Sequence, residues 1–161
     1  MDRHDIYAKL KERGIALPNV GAPAAAYAMC VQSGEFAYLS GHLAKKDGRV
    51  WVGKLGETMM TEEGSAAARS VAIDLLATLH AHFGDLNRVK QIVKMTSLVN
   101  STADFIGQHL VTNGASELFA DLFGDESGNH ARSAFGVAQI PLGACVEIQL
   151  VVEVARGSDR A

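Results

Sequence analysis

The sequence predicts an α/β domain in which two helices cover one face of a sheet, and three patterns carry that prediction. Between 62 and 83 apolar residues recur every three to four positions, whereas over 91–101, and again over 131–138 and 144–155, they alternate with polar ones. The first period is that of an amphipathic helix and the second that of half-buried strands. The elements are interleaved along the chain, which is the order of an α/β protein.

The elements follow in order. Residues 3–14 have the composition of a short amphipathic helix, with Ile6 and Leu10 among Lys9, Lys11, Glu12 and Arg13, and Gly14 stops it. Pro18, Gly21 and Pro23 then break regular structure. Strands are expected at 26–32 and 36–42, joined by a turn at Ser33-Gly34, with a weaker one at 49–53 after a polar loop.

Thr61 is the expected N-cap of the long helix, with Glu62 and Glu63 over its positive end and Gly84 beyond its last turn. In the 91–101 strand Val93, Met95 and Val99 share one side, and Lys94, Thr96 and Asn100 the other. A second helix is expected over 103–123, with Asn113-Gly114 as the place where it breaks if it is two pieces. The last two strands, separated by Ile140-Pro141-Leu142-Gly143, read as a hairpin whose Phe135 and Val137 face the core with Val146, Ile148, Leu150 and Val152. Alternation then places Arg132, Ala134, Glu147 and Gln149 together on the opposite surface. That surface also carries Cys145 and Val151, and two helices cannot cover both faces, so an oligomer is expected.

Composition excludes several classes. The chain of 161 residues carries 15 Lys and Arg against 18 Asp and Glu, so a nucleic-acid partner, which calls for a basic stripe, is not expected. The start Met1-Asp2-Arg3-His4-Asp5 lacks the apolar region of a signal peptide and no stretch approaches the roughly 18 apolar residues of a membrane span, so a cytoplasmic, membrane-free protein is expected. The two cysteines, Cys30 and Cys145, form no disulfide framework or metal spacing. His80 and His82 diverge by roughly 200° around a helix, so they cannot share a metal ion, and no metal is expected. No repeat or linker divides the chain, and one domain over 1–161 with an N-terminal helical cap is expected.

Arg132 and Glu147 are the residues best suited to chemistry. An opposite-charge pair across strands is a common stabilising device worth about 0.2–1 kcal/mol. The same two groups in a pocket would form a guanidinium fork for a carboxylate and an acid–base group for a proton or a water. Ser40-Gly41 lacks a nucleophile elbow and a base.

The closing segment, His130-Ala131-Arg132-Ser133-Ala134 and then Ile140-Pro141-Leu142-Gly143-Ala144-Cys145-Val146-Glu147-Ile148, resembles that of the RidA/YjgF (endoribonuclease L-PSP-like) family. Tyr38-Leu39-Ser40-Gly41-His42 resembles the family's Ser-Gly-Gln strand, Tyr27 stands thirteen residues before Ser40, and Val89-Lys90-Gln91-Ile92-Val93-Lys94 resembles its V-K-x-x-V strand entry. The likeness covers roughly residues 24 to 155 and implies a divergent, longer branch.

The resemblance implies a chorismate-mutase-like (bacillus type) fold with a mixed sheet, a homotrimer, and ligand sites in clefts between subunits. It implies hydrolytic deamination of enamine/imine intermediates such as 2-aminoacrylate, giving a 2-oxo acid and ammonia without a cofactor. Arg132 falls on the family's substrate-carboxylate arginine and Glu147 on its acid near the attacking water; Tyr27 and Ser40 match its pocket tyrosine and serine. The family's asparagine in the second helix falls on Ser116 counting back from Phe123, and on Asn113 with a shift of register. Ala134 stands where the family carries a cysteine, and His42-Leu43-Ala44 replaces Gln-Ile-Pro. The alternative function is a non-catalytic trimeric binder or regulator of small carboxylates using the same cleft.

Overall fold

Strand β5 (Val89–Asn100) is the spine of the molecule: β7 (Val146–Val154) pairs with it antiparallel on one side and β6 (Ala131–Val137) pairs with it parallel on the other. The structure is a computed structural model and describes residues 5–23 and 25–155. Beyond β7 lie β2 (Phe36–Leu43) and β1 (Cys30–Ser33), giving the mixed order β1-β2-β7-β5-β6. Two short strands, β3 (Lys45–Lys46) and β4 (Arg49–Val50), pair separately. Helices α2 (Thr61–Phe83) and α3 (Gln108–Gly128) pack on one face of the sheet, and α1 (Ile6–Glu12) lies against α3.

The expected closing hairpin does not form. β6 and β7 are separated by β5, because β5–α3–β6 is a parallel crossover and the 138–145 connection passes over the end of β5 to reach its far side. A parallel neighbour requires a crossover, and α3 supplies it. Phe135 and Val137 accordingly face away from the helices, with Phe135 exposed, rather than joining the core.

Other expectations shift for local reasons. The strand expected at 26–32 begins only at Cys30, and the one at 49–53 is reduced to Arg49–Val50. Met60, not Thr61, caps α2, and its backbone N–H donates to the Glu63 carboxylate at 3.1 Å. Gly84 ends the helix at φ 75° as expected. Two register shifts early in β5 break its alternation, so Ile92 rather than Val93 is buried with Met95 and Val99.

Helix α3 starts at Gln108, not 103, and its break is at Gly124 rather than at Asn113-Gly114. Gly114 is retained inside the helix for packing, since a Cβ there would lie 1.9 Å from the Ser65 carbonyl oxygen of α2. Cys145 is not on the open face either; it is fully buried, with its N–H donating to the Trp51 carbonyl. The N-terminal helix spans Ile6–Glu12 with Asp5 as its cap, and residues 3 and 4 of the expected helix lie outside the described residues.

Buried His42 ties the sheet to α2. Its Nδ1–H donates to the Ser40 carbonyl at 2.7 Å, which leaves Nε2 to accept from the Thr78 hydroxyl at 2.7 Å, so the neutral ring is fully satisfied. Burial pushes the His42 pKa below the ordinary 6.5, against the Ser40 carbonyl and Asp74, which raise it, and with Lys45, which lowers it. The unfolded chain therefore binds this proton more readily than the native one. The stabilisation is present above about pH 6.5 and is lost as pH falls through the lowered native value. Urea melts between pH 7.5 and 5 should show falling stability, and His42→Gln should flatten that part of the slope.

Candidate functional site

The structure sorts the five residues expected at the site into two groups on opposite faces of the sheet. Arg132 is in register with Met95, and Glu147 with Leu98, three residues further along the same regular stretch of β5. Paired residues share a face and successive residues alternate, so Arg132 faces the helices and Glu147 faces away from them. The helix side is fixed independently by Ser97, two residues from Met95, whose hydroxyl is 3.0 Å from that of Thr112 on α3. The shared surface expected from the hairpin is thus corrected: parity within each strand was right, but the two strands are not neighbours.

On the helix side, β6 is the sheet edge and Arg132 reaches along α3. Its Nη1 donates to Asn113 Oδ1 at 2.9 Å and to Ser116 Oγ at 3.0 Å, and Nη2 donates to the His109 carbonyl at 3.1 Å. Asn113 and Ser116 are three residues apart, hence on one helix face, and both meet the guanidinium; the two registers considered for the family's asparagine converge on one place. Ser116 Oγ is 2.9 Å from His130 Nε2, and His130 Nδ1 donates to the Gly128 carbonyl at 2.7 Å. With Nδ1 carrying the proton, Nε2 accepts the Ser116 hydroxyl, which in turn accepts from Arg132. Among the described residues no carboxylate pairs with Arg132, so a cation is aimed and held without a counter-charge.

On the open face, Glu147, Ser40, Gly41 and Tyr27 line a pocket of about 750 Å³ that also includes Tyr38 and Leu142. A register shift between Leu39 and His42 places Ser40-Gly41 in a bulge, a device that re-aims side chains beside a site. Gly41 is needed there: an added Cβ would lie 1.9 Å from Glu147 Oε1, so the carboxylate rests directly on the glycine. Ser40 donates its hydroxyl to the Ala28 carbonyl at 2.6 Å and its N–H to Met29, anchoring the segment that presents half-exposed Tyr27. Burial raises the Glu147 pKa above 4.5. Among the described residues its carboxylate has no hydrogen-bond or ion-pair partner, so it is a partly desolvated base with both oxygens available.

The pocket mouth is apolar and one wall is unusual. Leu142 adopts φ 60°, in the left-handed region, within the Pro141–Gly143 turn, and is exposed. Such a conformation is costly for a branched residue and recurs at functional sites. Val31, Phe36, Tyr38 and Phe135 are also exposed on this face. Among the described residues no group of three or more His, Cys, Asp or Glu is placed to hold a metal ion, and no helix is long and apolar enough to cross a membrane.

Sequence reasoning missed the contact of Asn113 with Arg132, the link through His130, and the seat that Gly41 makes for Glu147. The i, i+3 spacing of Asn113 and Ser116 was the available signal for the first.

Comparison with known proteins identifies the family. The family model described as "YjgF/chorismate mutase-like, putative endoribonuclease" matches residues 7–154. Protein TCP17 of Trypanosoma cruzi is 45% identical over 150 residues, covering 92% of this chain and 94% of that protein. The crystal structure of Atu1372 from Agrobacterium tumefaciens, a protein of unknown function, superposes with a TM-score of 0.85 at 39% identity, covering 93% of this chain and 92% of the other. A "putative endoribonuclease" from Shewanella oneidensis gives a TM-score of 0.89 at 28% identity, covering 94% of this chain and all (100%) of the other. With a family match across nearly the whole chain, and relatives similar over their full length, this protein belongs to the YjgF/chorismate mutase-like family.

Proposed function

We infer that the protein is a hydrolytic deaminase of small enamine/imine intermediates such as 2-aminoacrylate, acting as a homotrimer whose sites lie between copies. The observation that carries this reading is the separation of two incomplete half-sites. Among the described residues, Arg132 offers a cation without a counter-charge on one face, and Glu147 an unpartnered carboxylate in an open pocket on the other. One chain cannot direct both at one small ligand. A closed head-to-tail ring can, because each contact joins two different surfaces. The exposed apolar residues beside the pocket favour a neighbour there.

In such a cleft Arg132 binds the substrate carboxylate, its direction fixed by Asn113 and Ser116. The enamine tautomerises to the imine, whose carbon is attacked by water as Glu147 takes the water's proton. Returning that proton to nitrogen gives the neutral carbinolamine; its hydroxyl proton then passes by way of Glu147 to nitrogen, the C=O forms as the C–N bond breaks, and ammonia and a 2-oxo acid leave. The reaction is a hydrolysis, with no net oxidation. The raised pKa makes Glu147 a stronger base than an ordinary carboxylate.

The reading is tested by generating 2-aminoacrylate with a serine/threonine dehydratase and following pyruvate release. Acceleration by the wild-type protein is expected; rates equal to those without it, together with calorimetric binding of pyruvate, would instead favour the carboxylate binder or regulator. Gly41→Ala should displace the carboxylate it now seats and lower kcat/KM by about 10–100-fold with the fold retained, since a misplacement near 1 Å costs up to about 10².

A further inference from the structure

A second cavity, of about 540 Å³, opens at the C-terminal ends of β5 and β6 and shares no lining residue with the pocket over Glu147. Lys54, Ser101, Gln108 and Gly136 line it. The Lys54 ammonium donates to Asn100 Oδ1 at 3.0 Å and to the Ala138 carbonyl at 2.9 Å, and among the described residues it has no carboxylate partner. Asn100 is oriented for this by its own amide, which donates to the Gly53 and Ala144 carbonyls at 3.0 and 3.3 Å. The lysine is therefore held, not waving in solvent, with two of its three donors used on neutral oxygens and its charge uncompensated.

Three features of the wall add to that charge. Gln108 is the first residue of α3, whose positive end carries no side-chain cap, so the helix dipole reinforces Lys54 at this end of the cavity. The Gln108 amide nitrogen donates to the Phe105 carbonyl at 2.6 Å and to Ser101 Oγ at 3.4 Å, which positions the serine hydroxyl. Gly136 keeps the strand edge open to both: a Cβ there would lie 2.5 Å from Ser101 Oγ and 2.9 Å from Gln108 Nε2. Cation, hydroxyl and helix terminus are donors, and among the described residues no acidic side chain lines the cavity.

We propose that this cavity is a second binding site, for a small oxyanion-bearing metabolite whose carboxylate or phosphate is held by Lys54 and the start of α3 and whose remaining oxygens meet Ser101. The volume suits a metabolite rather than a polymer, and a lysine takes either oxyanion as a point charge. The inference does not depend on catalysis at Glu147 or on Arg132.

Arg132→Ala protein, in which the arginine cluster can no longer take an anion, is titrated separately with inorganic phosphate and with pyruvate. The Gly136 backbone amide and the Gln108 side-chain amide are followed by NMR. Saturable shifts of both signals are expected with at least one probe, and the probe that binds identifies the oxyanion. Adding Lys54→Met, which keeps the aliphatic stem, should weaken that binding by roughly tenfold or more, whereas Lys54→Arg should retain it within a few-fold. Lys54→Arg also guards against a folding defect in the methionine variant. No saturable shift with either probe, or equal affinity in the Lys54→Met protein, would overturn the proposal.

Discussion

Replacing Arg132 with alanine is expected to lower kcat/KM for 2-aminoacrylate hydrolysis by roughly 10²–10³-fold, since it removes both a charge-assisted carboxylate contact and the orientation that contact imposes. The guanidinium spends donors on Asn113 Oδ1, Ser116 Oγ and the His109 carbonyl, all neutral oxygens. Truncation leaves those acceptors on a half-exposed edge where water replaces the lost donors, so a stability cost of only about 1 kcal/mol is expected. Arg132→Lys should recover little activity, because an ammonium cannot bridge Asn113, Ser116 and a bidentate carboxylate at once. Progress curves for pyruvate release, beside thermal melts, separate the catalytic loss from the structural one.

Glu147→Gln should cost about 10²–10⁴-fold in kcat, the usual contribution of a positioned general base. Its effect on stability should go the other way. Burial raises the pKa of the wild-type carboxyl above 4.5, so the folded state prefers the neutral group. The contribution of Glu147 to stability is present below the unfolded pKa and is lost as pH rises through the higher folded value. At pH 7 the charged group is a liability that glutamine removes, and a melting temperature equal to or above wild type is expected. In wild type the rate should rise with pH through a value above 4.5; in Glu147→Gln that limb should vanish. A melting temperature well below wild type would mean that the carboxylate makes a structural contact instead.

How much of this was legible in the sequence depended on whether a pattern was local. Helix α2 could be placed because its apolar stripe and the Gly84 stop lie within one continuous segment. Arg132 and Glu147 could be found because family-like motifs mark both strands. Their relative placement could not, because it rests on which strand lies between them, and β6 and β7 look like a hairpin in a chain where only eight residues separate them. The long helix between β5 and β6 was the contrary signal, since it is what a parallel pair requires. Inward-facing Ile92 was hidden by bulges that shift parity without leaving a mark in the sequence. Lys54 lies outside any strand or helix with a period, and only the fold brings it to Asn100 and Ala138.

The division of the site between copies is tested most directly by mixing two inactive proteins. Arg132→Ala keeps an intact Glu147 face and Glu147→Gln keeps an intact Arg132 edge. Unfolded together at equal concentration and refolded, they should form mixed rings in which about a quarter of the contacts join two intact halves, restoring roughly a quarter of wild-type activity. If both groups served a ligand from within one chain, every site would carry one defect, and the mixture would stay as inactive as its two components.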